Sequence, residues 1–280
     1  MLRRSVVVAT LAACTSTGGL TGGEGDAGVD AASDGAVDAA VADVPFVDAG
    51  ADVTRPTPYY DAVLADAPIA WYRFEETSGA MAKNSAPDSS VGSAGYSDAG
   101  LGRTGAFPNE PGYAVEVSGG KISVSDGHLA FPGTAKFTLE AWVYPKTIDG
   151  LYRRIISHEA PTTVRDGYLL YVQNGAVGVD RWLDGGVQEA ELAGTLLLGI
   201  WSHVVATFDG SVLAFYLNGQ NVAQSNVTVS IATVNVPFTM GTDSRSSTDY
   251  FVGGLDEIAV YDKALSATRV AAHYSAAMEK

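Results

Sequence analysis

Between Trp201 and Ala223 the chain reads as two successive β-hairpins. Val204, Ala206 and Phe208 share one parity, Asp209-Gly210 forms a two-residue turn, and Leu213, Phe215 and Leu217 return on one face. Asn218-Gly219 turns the chain again into Asn221-Val222-Ala223. Asp-Gly and Asn-Gly accept the left-handed backbone of tight hairpin turns, whose twist matches the flanking strands. A two-residue period cannot also present one face of a helix, so this stretch commits the chain to antiparallel sheet. Phe137 to Val143 alternates in the same way, with Phe137, Leu139, Ala141 and Val143 on one side. Further short strands are expected at Ala70–Glu75, Tyr113–Val117, Lys121–Ser125, Arg154–His158, Tyr168–Gln173, Val177–Trp182, Phe238–Gly241 and Leu255–Tyr261. So many short strands separated by turn residues imply a sandwich or barrel. One helix is expected after Ser266, a good N-cap, with Val270, Tyr274 and Met278 at four-residue spacing to pack on the sandwich edge. No GxSxG elbow, phosphate loop or dinucleotide fingerprint appears.

This pattern starts only after residue 58. Arg3 and Arg4 precede an apolar run from Ser5 to Ala13, and Cys14 follows. The run is far shorter than the roughly 18–20 residues that span a bilayer. It fits the apolar region of a signal peptide, here residues 1–13. Leu11-Ala12-Ala13-Cys14 resembles a bacterial lipobox, in which cleavage leaves the cysteine as a lipidated N-terminus. Several acyl chains on Cys14, at about 0.8 kcal/mol per buried methylene, would anchor the chain firmly. By the same resemblance Thr15, standing where Asp signals inner-membrane retention, favours an outer-membrane lipoprotein of the cell envelope.

From Thr15 to Pro58, 24 of 44 residues are Ala, Gly or Asp, with eight acids and only Arg55 as a base. Each glycine costs about 1 kcal/mol against helix, and no apolar stripe offsets it. Low hydrophobicity with charge of one sign predicts a disordered acidic tether, residues 14–58 with the lipidated cysteine, averaging roughly 35–40 Å in span.

The formal net charge of −15 divides into +2 before Cys14, −7 in the tether and −10 in residues 59–280. That excludes a nucleic-acid partner, because phosphate binding needs clustered Lys and Arg. Membrane contact is left to the lipid anchor alone. With one cysteine and four histidines, neither a disulfide nor a Cys-based zinc site is available.

Five ordered segments carry a resemblance. They are Ala70-Trp71-Tyr72-Arg73-Phe74-Glu75-Glu76-Thr77-Ser78-Gly79, Phe137-Thr138-Leu139-Glu140-Ala141-Trp142-Val143-Tyr144-Pro145, Trp201-Ser202-His203-Val204-Val205-Ala206-Thr207-Phe208-Asp209-Gly210, Phe215-Tyr216-Leu217-Asn218-Gly219 and Gly254-Leu255-Asp256-Glu257-Ile258-Ala259-Val260-Tyr261. In order, they resemble the landmarks of laminin G-like domains of the concanavalin A-like lectin/glucanase superfamily over residues 59–280. The resemblance implies an all-β, two-sheet antiparallel jelly-roll sandwich with a short C-terminal helix. It also implies a frequent structural Ca²⁺ and binding of carbohydrate or protein, with glycosidases and lyases among the relatives. Fold alone does not choose between these.

Asp256 shares parity with Ile258 and Val260 and is therefore expected to face the interior, where a lone carboxylate needs a partner or a metal. The resemblance suggests Ca²⁺ there, with Glu75 or Glu76 and Asn84 as further ligands; relatives often carry Asp in place of Asn84. The competing expectation is backbone hydrogen bonding, or pairing with Arg73. For sugar stacking, Trp182 between Asp180-Arg181 and Asp184-Gly185-Gly186 forms one group, and Tyr152 with Arg153 and Arg154 a second. Trp182 could instead cover an edge of the core. Trp71, Trp142 and Trp201 match landmark positions and are expected to pack.

For glycoside cleavage, the same-face pair Glu189 and Glu191 lies in an expected loop, and the Glu-x-Asp-x-x-Glu signature of the related glucanases is missing. His158-Glu159 and Trp201-Ser202-His203 supply no nucleophile, base and orienter set. The expected function is a surface-anchored, non-catalytic binding module for glycans or cell-surface protein ligands. The alternatives are a divergent glycoside hydrolase or polysaccharide lyase, and a structural or adhesive envelope component.

Overall fold

Leu217 pairs with Gln220 across Asn218-Gly219, whose φ values of 50° and 76° are both left-handed, so this hairpin turn is the expected one. The preceding turn sits one residue later than the sequence suggests. Asp209 N–H donates to Val212 O at 3.2 Å, and the turn is Gly210-Ser211. The Asp209 carboxylate accepts from Ser211 N at 2.8 Å and Val212 N at 2.7 Å, which draws the turn forward.

The computed structural model describes residues 57–279, apart from 88, 110–111, 161–165, 184–185, 228–229 and 246–248, and the side chains of 183–191 fall outside that description. The expected signal segment, Cys14 and all of the expected tether but Thr57 and Pro58 lie outside the described residues. In chain order come α1 (Pro58–Ala65), β1 (Ala70–Tyr72), β2 (Met81–Ala82), β3 (Ala94–Ser97), β4 (Gly100–Thr104), β5 (Tyr113–Ser118), β6 (Lys121–Val124) and β7 (Phe137–Pro145). Then follow β8 (Arg153–Glu159), β9 (Gly167–Gln173), β10 (Ala176–Leu183), β11 (Gly186–Ala193), β12 (Ser202–Phe208), β13 (Val212–Leu217), β14 (Gln220–Asn226), β15 (Phe238–Met240), β16 (Val252–Tyr261) and α2 (Ala267–Met278).

The strands form two eight-stranded antiparallel sheets packed as a jelly-roll sandwich. The first sheet runs β14-β13-β12-β7-β16-β5-β4, with β1 also on β16; the second runs β11-β10-β9-β8-β15-β6-β3-β2. Between them lies the core, in which Phe137, Leu139, Ala141 and Val143 of β7 meet Tyr168, Leu170 and Val172 of β9. Phe137 stacks on Tyr168 at 5.3 Å and packs on Phe208 at 5.7 Å. Each such ring contributes about 1.5–3 kcal/mol by leaving water.

Both helices lie on the outer face of the first sheet. α1 falls where the tether was expected to end: Thr57 caps it, accepting from Tyr60 N at 3.1 Å, and Pro58 occupies its first turn. Ser266 caps α2 as expected, accepting from Arg269 N at 3.3 Å. However, α2 packs on the sheet face and on α1, not on the sandwich edge. Val270, His273, Ala276 and Ala277 are buried there, while Met278 is exposed.

A buried polar cluster fastens this layer. Glu140 of β7 accepts from Tyr59 Oη at 3.0 Å and Tyr261 Oη at 2.9 Å, and its Oε1 lies 2.8 Å from His203 Nε2. His273 Nδ1 is 3.0 Å from Glu140 Oε2, and its Nε2 is 2.9 Å from Asp66 at the end of α1. Among the described residues no helix covers the outer face of the second sheet, and no helix is long and apolar enough to cross a membrane.

Candidate functional site

Strand alternation and one bulge decide what the outer face of the second sheet presents. Between Arg154 and Ile156 the β8–β9 register shifts. The bulge leaves Ile155, Ile156 and His158 inward and Arg154, Ser157 and Glu159 outward. Cross-strand pairing extends these into rows: Ser157 with Leu169 and Asp180, Glu159 with Gly167 and Trp182, Arg154 with Tyr171 and Gly178. Two rows contain glycine notches. A Cβ at Gly167 would meet His158 O at 2.0 Å, and one at Gly178 would meet the Tyr171 ring at 2.7 Å. Only glycine fits at either position, because neighbouring backbone and the Tyr171 ring already fill the space a Cβ would need.

Arg154 is the electrostatic centre, with its side chain 1% exposed. Its guanidinium stands 3.5 Å from Glu159, 3.4 Å from Asp243 and 2.9 Å from Asp249, and 5.7 Å from the Tyr152 ring centre. Arg245 pairs with Asp243 at 2.6 Å and approaches Glu159 at 3.9 Å. Ser157 Oγ donates to Glu159 at 3.1 Å and lies 2.9 Å from Ser244 Oγ. Burial alone would raise Asp243, but the Arg245 hydrogen bonds and the Arg154 charge hold it below the usual carboxylate range. With Asp180, four carboxylates stand against two guanidinium groups here; Glu159, Asp180, Asp243 and Arg154 are buried, which leaves Asp249 and Arg245 partly exposed.

The expected sugar-contact residues divide here. Asp180 and the half-buried Trp182 do share this face, and Tyr152, 37% exposed and stacked on Tyr171 at 4.8 Å, stands at its rim. Arg153 is taken up by Asp149 and by Tyr250 O at 3.0 Å. Arg181 is a correction. It alternates with Asp180, so it points inward with Val177 and Val179, 3.9 Å from the Phe208 ring centre, and donates to Gly133 O at 2.8 Å. Burial lowers it to about 10. Of the groups the sequence named as unlikely catalysts, His158 is a core residue against Tyr168, held neutral by burial with its pKa lowered to about 4.

Of the expected Ca²⁺ ligands, Asp256 and Glu75 lie near enough for their charges to interact, while Glu76 and Asn84 are bonded to other partners. A second bulge between Asp256 and Ala259, with Glu257 at φ 49°, puts Leu255, Ile258 and Val260 in the core. Asp256 pairs in register with Trp142 and so faces the helix-covered side instead. Its oxygens accept from Ala106 N at 2.8 Å and Glu257 N at 2.9 Å, the backbone alternative. Glu257 accepts from Trp71 Nε1 at 2.7 Å and Arg73 Nε at 3.0 Å. Glu75 accepts from Tyr113 N at 3.0 Å, and Glu76 from Lys83 N and Tyr96 Oη, both at 2.8 Å. Asn84 Oδ1 takes Trp71 N at 2.8 Å, and its amide donates to Val91 O at 2.8 Å. Among the described residues no three His, Cys, Asp or Glu side chains are grouped to hold a metal ion. Burial and the Glu257 charge push Asp256 well above the ordinary carboxylate range, and burial pushes Glu257 up to about 7 against the pull of Arg73.

A family model described as the concanavalin A-like lectin/glucanases superfamily, of laminin G type, matches residues 117–271. Comparison with curated proteins gives no match. Among solved structures, domain 4 of a GH43 extracellular arabinanase from Geobacillus stearothermophilus, in complex with arabinotriose, is similar at 18% identity and TM-score 0.56. That match covers 74% of this chain and 98% of the other. The binding domain of Paraclostridial Mosquitocidal Protein 1 is similar at 13% identity and TM-score 0.54, covering 75% of this chain and 52% of the other. A Trypanosoma rangeli sialidase in complex with sialic acid is similar at 14% identity and TM-score 0.55, covering 73% of this chain and 32% of that larger enzyme. Identities this low speak for the fold alone.

Proposed function

We propose that this chain, which belongs to the concanavalin A-like lectin/glucanases superfamily, is a non-catalytic glycan-binding module that uses the outer face of its second sheet. The observation that carries this reading is the row Glu159, Gly167, Trp182, in which a half-buried indole is set across a glycine notch from a carboxylate. The indole offers a face on which a sugar ring can stack, and the partly exposed Asp249 an acceptor for hydroxyls, while Glu159, Asp180 and Asp243 are buried beneath the face. The arabinotriose and sialic acid bound by similar structures support a saccharide as the ligand class.

Hydrolysis by two carboxyls requires one that holds a proton near neutral pH, about 5–9.5 Å from its partner and open to substrate. The carboxyls pushed upward, Asp256 and Glu257, are 2% and 1% exposed on the other sheet, out of reach of a polymer. Asp243, buried in the Arg154 network of the second sheet, is held ionised. Ser90, His128 and Asp126 do meet, but both contacts use His128 Nδ1, at 3.4 and 2.7 Å, so the imidazole does not bridge acid and hydroxyl as a triad requires. In isothermal titration against a panel of oligosaccharides, Trp182→Ala is expected to weaken the best ligand roughly tenfold with the melting curve retained. Wild-type affinity in Trp182→Ala, or a panel without binders, would sink the reading.

The same proposal places the domain at the cell envelope on a lipid carried by Cys14, with residues 15–58 as its tether; the Leu11-Ala12-Ala13-Cys14 motif supports it. Cys14→Ser is expected to abolish incorporation of labelled palmitate, and persistent labelling would overturn the anchor.

A further inference from the structure

A second concave site lies on the opposite sheet, beside the helix layer. Glu116 of β5, Gly254 of β16 and Tyr144 of β7 stand in one cross-strand row. Gly254 contributes no side chain, and the Trp201 indole fills the space over it: a Cβ there would come within 2.8 Å of the ring. Tyr144 and Trp201, both half-buried, stand 5.4 Å apart with planes inclined by 54°. Opposite them, Lys146 Nζ and Arg103 Nε approach the same oxygen of Glu116, at 2.8 and 3.5 Å. Together these groups line a groove of about 460 Å³, within the ordinary size range for a small-ligand site.

The charge of this groove runs against that of the domain. Two cations face one carboxylate, a local excess of +1, on a domain whose residues 59–280 sum to −10. Arg103 and Lys146 side chains are 58% and 45% exposed, so both can be reached from solvent. Two cations share one carboxylate, so the groove is rich in donors. Aromatic faces receive the C–H face of a pyranose, and a planar guanidinium beside an ammonium receives a carboxylate. We infer that this groove binds an acidic sugar, a uronic acid residue whose ring lies on Trp201 and Tyr144 and whose carboxylate meets Arg103 and Lys146.

The inference is independent of the second-sheet face, and variants separate the two. Oligogalacturonate, oligomannuronate and oligoglucuronate are titrated into the full chain, with a neutral galactan oligomer as control. At least one uronate is expected to bind, more tightly than the galactan and with an affinity that falls as salt rises. The double variant Arg103→Ala/Lys146→Ala removes only exposed side chains. It is expected to weaken the uronate about tenfold or more and to flatten the salt dependence, with the melting curve unchanged. Gly254→Ala, by displacing the indole, is expected to weaken the same probe, while Trp182→Ala leaves it unaffected. The inference is overturned if no uronate binds, if the galactan binds equally well, or if Trp182→Ala abolishes uronate binding that the double variant leaves intact.

Discussion

Glu140→Ala is expected to lower stability by about 3–5 kcal/mol, the range for breaking a buried ion pair from one side. For a domain of this size that is a fall in melting temperature of roughly 6–20 °C. Glu140 has no exposed surface, and four groups converge on its two oxygens: Tyr59, His203, Tyr261 and His273. Burial would raise its pKa, but the His273 and His203 contacts hold it far below the usual range. Conversely, burial would lower His273, but Glu140 and then Asp66 raise it. Deleting the carboxylate strands two histidines and two phenols beneath α1 and α2. Glu140→Gln, which keeps an acceptor and the volume, is expected to lose less.

The pH dependence of the difference between wild type and Glu140→Ala follows from the signs. His273, raised, contributes fully below its unfolded value of about 6.5 and loses that contribution as pH rises through its folded value. Glu140, lowered, contributes above about 4.5 and loses it as pH falls through its folded value. Calorimetry should therefore show the largest difference between about pH 4.5 and 6.5, shrinking on either side. A melting temperature unchanged by Glu140→Ala at pH 6 would show that the cluster does not hold the helices.

Arg154→Ala is expected to have an effect of similar size, about 3–5 kcal/mol, for the converse reason. It removes the cation among Glu159, Asp243 and Asp249, of which the first two are buried. Arg245 remains beside Asp243 and Glu159 but comes no closer than 3.9 Å to the latter. The deficit should shrink as pH falls and Asp243, which Arg245 and Arg154 hold below the usual carboxylate range, takes up a proton. Arg154→Lys keeps the charge without the fork that reaches several carboxylates, so partial rescue is expected. A variant as stable as wild type at pH 7 would show that the network is ornamental.

Where side-chain identity and local turn chemistry decide, the sequence was readable. The hairpins around Gly210 and Gly219, the Ser266 cap and the common face of Asp180 and Trp182 follow from alternation and from residues that tolerate left-handed backbone. Where an extra residue enters a strand, parity reasoning inverts. The bulge at Glu257 turned Asp256 away from the core, and the bulge at Arg154–Ile156 set Arg154 and Glu159 on one face although they are five residues apart. Arg181 departs from expectation for the opposite reason: alternation applies, and a long aliphatic stem lets a cation sit against Phe208. α1 escaped notice because it is short, with only Tyr59 and Val63 buried, yet Thr57-Pro58 was a legible start signal. The Arg154 network and the Trp201 groove join residues up to about 150 positions apart, which no local pattern reveals.

The two proposed sites lie on outer faces of opposite sheets, so ligands held there would point in opposite directions across a sandwich with layers about 10 Å apart. One polymer strand cannot lie along both without wrapping the domain, so the pair gives little avidity for a single chain. What the geometry favours is bridging: one copy joining two separate strands, each gripped through a different chemistry.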